Sequence, residues 1–185
     1  MRLLSLLLLV FCFSCSSELR EKPISTYYNV DSLLNNQLRL LVQEQVAIKK
    51  QISIDGQHEL DTVSFDSLGW NNELAVFRIA DINKPNLKGL YKATEERLDD
   101  QIIWRYITEK PSLGIEYLYV YFLEGNKIDK IEARYNEDNA LYTSERNLTL
   151  NFDPDTKLLN AYKVEGSQKM ILKDPVVFKI ASQVL

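Results

Sequence analysis

The chain predicts an α+β domain, an antiparallel meander of about eight or nine strands that can curl, packed on two helices in its N-terminal half. Three observations carry that reading. Two windows before residue 81 repeat apolar residues at helical spacing. After residue 100, strand-like runs alternate with short turn segments. Those segments are too short for crossover connections, so successive strands must be antiparallel neighbours.

The elements follow in order. Arg2, a run at 3–13 that is apolar but for Ser5, and small Ser14 precede Cys15, the pattern of a signal peptide over 1–14. A run of eleven residues is too short to cross a hydrocarbon core of about 30 Å. Cys15 is the expected lipidation site, and cleavage after Ser14 as a plain secreted protein is the rival. Residues 15–26 are polar, without an apolar period, and read as a lipidated tether ahead of a single domain over 27–185.

Asp31 is the expected cap of a helix over 32–47, with Leu34, Leu38, Leu41, Val42 and Gln45 on one side. Ile48, Ile52 and Ile54 enter a strand. Asp55-Gly56 then makes a type I′ turn into a strand over 57–63, because both residues tolerate positive φ. Asp66 caps a helix over 67–80, where Trp70, Leu74, Phe77 and Asp81 recur at helical spacing and the three apolar ones read as core. Pro85 closes the helical region, 87–93 returns as a short strand, and the acidic run at 94–100 reads as loop. The meander then occupies 101–109, 115–123, 127–135, 140–152, 158–165, 168–173 and 176–183. Gly166-Ser167 is among its separators. In the second of these strands Ile115, Tyr117, Tyr119 and Tyr121 share one face and Leu118, Val120 and Phe122 the other. The next two strands alternate polar with apolar, the mark of one wet and one covered face.

Composition excludes several function classes. The formal charge is −4, and loss of the leader removes only Arg2, leaving −5. A mildly acidic domain without a basic cluster does not suit nucleic acid. Cys12 leaves with the leader and Cys15 is acylated, so no thiol remains for disulfide, redox or metal chemistry. His58 is the sole histidine and reads as an exposed hairpin residue. No metal site and no cofactor is expected. The six glycines are isolated, so no phosphate-cradling loop exists. Glu95-Glu96, Asp99-Asp100 and Glu137-Asp138 read as solvated charge rather than as a hydrolase pair, and Asp153-Pro154-Asp155 as a turn.

Two softer signals remain. Asp31-Ser32-Leu33, Asp61-Thr62-Val63 and Asp66-Ser67-Leu68 resemble an O-glycosylation acceptor of the Bacteroidota, and helix capping explains two of them equally. Tyr117, Tyr119 and Tyr121 are the candidate ligand-cavity or interaction face, with a packed core face as the plainer reading.

The stretches FRIADINKP (77–85) and SERNLTLNFDPDTKLLNAYKVEGSQKMIL (144–172), together with the leader, resemble small lipoproteins of the Bacteroidota. The helix-then-meander order is loosely similar to the half-barrel of lipoprotein carriers and receptors. The resemblance implies no activity and transfers no functional residue. It implies a protein anchored in the cell envelope by acyl chains. Ser16, not aspartate, follows Cys15, which is the outer-membrane sorting pattern. The function expected is a non-enzymatic binding or interaction module with a lipid or protein partner. The alternative is a periplasmic carrier or receptor for lipids or lipoproteins.

Overall fold

A computed structural model of the chain describes residues 27–98, 100–110 and 114–185. The leader, Cys15, the tether and Asp99 lie outside the described residues. Helix α1 (Val30–Gln43) starts earlier than its periodicity suggests, because Asn29 is the cap: its side chain accepts from the Ser32 amide at 2.7 Å. Asp31, expected as the cap, lies in the first turn and pairs with Arg78. The helix also stops short of 47. Gln45 takes φ 52°, and the Val46 amide donates back to the Leu41 carbonyl, a left-handed C-terminal cap. Gln45 is therefore exposed and leaves the apolar stripe.

Helix α2 (Ser67–Leu74) is capped as expected by Asp66, which accepts from the Gly69 amide at 2.7 Å. The periodic stretch then tightens into a 3₁₀ turn, Ala75–Ala80, so the α-helix is shorter than 67–80. Trp70, Leu74 and Phe77 are fully buried, as their spacing implies. Pro85 does not end a helix but opens a short 3₁₀ turn, Pro85–Leu87, at the position where a missing N–H costs nothing.

The strands are β1 (Ala47–Ile54), β2 (Gln57–Ser64), β3 (Lys92–Leu98), β4 (Gln101–Ile107), β5 (Ile115–Leu123), β6 (Lys127–Asp138), β7 (Tyr142–Phe152), β8 (Leu159–Met170) and β9 (Val176–Val184). They form one open sheet in the order β2-β1-β9-β8-β7-β6-β5-β4-β3, with every pair antiparallel. The meander thus runs from β3 to β9, and β1 returns to pair with β9. At the β1–β2 turn Asp55 (φ 49°) and Gly56 (φ 80°) both take the expected positive φ.

The strand expected over 87–93 starts only at Lys92, after the 3₁₀ turn. Two more expected boundaries fail for physical reasons. The acidic run is not loop but β3, whose edge position lets its charges reach cations: Glu96 pairs with Arg105 at 2.6 Å and Glu95 with Arg97 at 2.9 Å. Gly166 is no turn. It lies inside the continuous strand β8, where a Cβ would stand 1.9 Å from the Glu145 carbonyl oxygen. Close backbone approach, not turn geometry, accounts for that glycine.

One face of the sheet carries the core. Tyr162, Leu150, Ile131 and Val120 stand opposite one another across β8, β7, β6 and β5, all buried against Leu34, Leu41, Trp70, Leu74 and Phe77 of the helical region. A register shift between Ile115 and Tyr117 turns Ile115 onto this face, so it does not share a side with the tyrosines. Gln37 of α1 is 1 % exposed among these apolar groups. Its amide donates to the Lys157 carbonyl and accepts from the Leu159 amide, both at 2.8 Å, bolting the helix to the β7–β8 turn.

Candidate functional site

Strand parity sends alternate residues to the face away from the helices, and the register sets which meet there. Tyr117, Tyr119 and Tyr121 of β5 lie on this open face, half-buried, opposite Arg134, Glu132 and Lys130 of β6. They are a surface row and not the packed core face that strand propensity favours. Tyr117 and Tyr119 stack at 4.5 Å, with 23° between ring planes. The Arg105 guanidinium lies 5.4 Å from the Tyr119 ring centroid and the Lys130 ammonium 4.1 Å from that of Tyr121. Tyr121 donates its hydroxyl to Glu132 at 2.5 Å. Burial and then that bond to a carboxylate push its ionisation well above the ordinary tyrosine value. Tyr117 is raised too, first by burial and then by Glu132. Beside the row, Ile103 of β4 faces Tyr121 and is only 3 % exposed, an apolar seat outside the main core.

Next to the row the same face holds an open groove of about 580 Å³. Thr149, Asn151, Ala161 and Ala181 form its low floor, and Lys49, Lys130, Lys163 and Glu132 rise around it. Three lysines against Glu132 and the neighbouring Glu165 leave one cation in excess, in a chain whose formal charge is −4. Lys130 pairs with Glu132 at 3.1 Å and Lys163 with Glu165 at 2.9 Å. Lys130 and Glu132 therefore belong both to the groove and to the tyrosine row. The groove escaped sequence reasoning because its lining comes from β1, β2, β6, β7, β8 and β9, and only their register brings it together.

A second polar cluster was also not foreseen. Glu73 of α2 accepts from Lys50 Nζ at 2.7 Å and from the Tyr162 hydroxyl at 2.7 Å. Both partners reach it from the covered face of the sheet, and the three close on one another as a fastening for α2. Burial is the first cause that holds the Tyr162 hydroxyl neutral far into the alkaline range.

The remaining candidates do not assemble. His58 is exposed on edge strand β2. Glu95 and Glu96 are adjacent on β3 and so point to opposite faces, where no substrate bond fits between them. Glu137 is bonded to Tyr135, which first of all lowers its pKa. Asp153 accepts from the amides of Asp155 and Thr156, at 2.9 and 2.7 Å, which makes it a turn residue. Of the acceptor-like triplets, Thr62 is exposed on β2 and Ser67 lies in the first turn of α2. Among the described residues no group of three or more His, Cys, Asp or Glu side chains is placed to hold a metal ion. No described helix is long and apolar enough to cross a membrane.

No family model, no curated protein and no solved structure matches this chain.

Proposed function

We propose that this chain is a lipid-anchored protein of a bacterial cell envelope that acts as a non-enzymatic binding module through the open face of its sheet. One observation carries the reading: the two sides of the sheet are built for different ends. The helix side is filled by fully buried Trp70, Phe77, Leu34, Leu118 and Leu150. The other side keeps a groove of ligand-site size, about 580 Å³, with converging lysines beside a stacked tyrosine row. The groove's charge suits a carboxylate-bearing or otherwise anionic group. Its lining reaches from Leu60 on β2 to Lys130 on β6, five strand intervals or roughly 24 Å.

The anchor rests on Arg2, the apolar run, Ser14 and Cys15, and outer-membrane sorting on Ser16. The likeness to lipoproteins of the Bacteroidota belongs to this proposal as well. A role as carrier of lipids or lipoproteins is the second reading. It needs an unfilled apolar cavity, and the filled helix side favours the first.

The test compares native and denatured masses of the full chain purified from a bacterial envelope. The proposal expects loss of residues 1–14, an acyl mass on Cys15 and no retained lipid beyond it. A retained adduct of lipid size that denaturation releases supports the carrier instead. An unmodified Cys15 overturns the anchor.

A further inference from the structure

We infer that the projecting β6–β7 and β8–β9 turns form an apolar tip that dips into the lipid bilayer at the same end of the sheet as the point where the chain enters the domain. The register defines the projection. Lys92 of β3, Ile107 of β4, Tyr117, Arg134, Asn147, Glu165, Lys179 and Ser53 stand on one row across the sheet. Beyond that row β3 and β4 have ended, whereas β6 continues over 135–138 and β8 over 166–170. At about 3.3 Å per residue the projection is roughly 13 to 17 Å.

Its end is exposed and apolar. Leu141, Met170, Ile171, Leu172, Val176 and Val177 are all exposed large hydrophobics. The Ile171 amide donates to the Leu141 carbonyl at 2.8 Å, so the two turns form one surface. Leu172 is 98 % exposed and takes φ 61°, a backbone position where glycine or asparagine costs less than a branched side chain. Folding alone gives no reason for leucine there. Lys169 and Lys173 flank the turn with Asp174 and Asp138, so charge nearly balances and apolar area is what the tip offers.

Where the chain enters decides the occupant. Tyr27 packs on Tyr91, just before β3, and on Tyr106 of β4, both at 5.6 Å, which places it level with that row, on the β3–β4 side of the sheet. From there α1 runs away to the opposite end, where Gln37 meets the β7–β8 turn. A tether that leaves Tyr27 towards a membrane therefore presents the projecting turns first. The direction rests on the proposed anchor, while the apolar tip does not.

The test separates the two. The mature chain, residues 15–185 with Cys15→Ser, is held on phosphatidylcholine vesicles by an N-terminal histidine tag and a nickel-chelating lipid. An environment-sensitive dye is attached through Leu172→Cys or, as control at the far end, through Asp155→Cys. Brominated acyl chains are expected to quench the dye at 172 and not at 155. In flotation without the nickel lipid, Ile171→Asp with Leu172→Asp is expected to lower vesicle binding about tenfold or more, with the melting temperature unchanged. Equal quenching at both positions, or none at 172, overturns the inference. A dye at 172 already shielded without vesicles, in a chain that runs as a dimer, also overturns it and assigns the tip to a second copy. Failure of the anchor is read separately, from the mass of Cys15.

Discussion

The two faces of this sheet are made by the same strands, yet they obey different rules. On β5 the covered residues Leu118, Val120 and Phe122 are packed under the helices, while Tyr117, Tyr119 and Tyr121, one position out of phase, form a charged and aromatic surface. Apolar burial supplies most folding free energy, so the covered face is where substitutions damage the fold. The open face, half-exposed, is expected to contribute less to stability. On the proposed reading, recognition falls to the side chains whose arrangement stability does not require.

The comparison can be broken from either side. Trp70→Ala empties the centre of the helix–sheet interface and should cost about 3 to 5 kcal/mol in chemical denaturation. A cost below about 1 kcal/mol would show that the covered face is not the main source of stability. Gln37→Leu keeps the bulk but leaves the Lys157 carbonyl and the Leu159 amide unpaired, so about 1 to 3 kcal/mol should be lost.

Tyr91 sharpens the contrast through pH. Its hydroxyl donates to the Ile115 carbonyl at 2.7 Å, and burial, then Tyr27, pushes its pKa up to about 12. The fold favours the neutral phenol, so its contribution is fully present below about pH 10 and is lost as pH rises from there to about 12. The slope is at most about 1.4 kcal/mol per pH unit, and urea titrations between pH 9 and 12 should find it reduced in Tyr91→Phe. Smallest of all, Lys163→Ala on the open face should shift stability by less than about 0.5 kcal/mol.

Much of this architecture was legible because it follows local rules. Asp55-Gly56 announces its turn since both residues accept positive φ, and Trp70, Leu74 and Phe77 announce a buried stripe by spacing. Parity likewise put the three tyrosines on one side. What stayed hidden depends on partners distant in sequence. The irregularity after Ile115 flips one residue without any local mark. The acidic run is a strand because β4 pairs with it along its whole length and sets Arg105 near Glu96, and Gly166 mimics a turn signal while serving a close contact with β7. The open-face groove is illegible for the same reason, since Lys49, Lys130 and Lys163 are far apart in the chain.

The most direct test of the division between the faces is photo-cross-linking in intact cells. A photo-reactive residue is placed at Tyr119 or Lys163 on the open face, or at exposed Asn36 on the helix side. The account predicts the same discrete adduct from both open-face positions and none from Asn36. An adduct from Asn36 with none from Tyr119 and Lys163 would move the binding surface to the helices and contradict it.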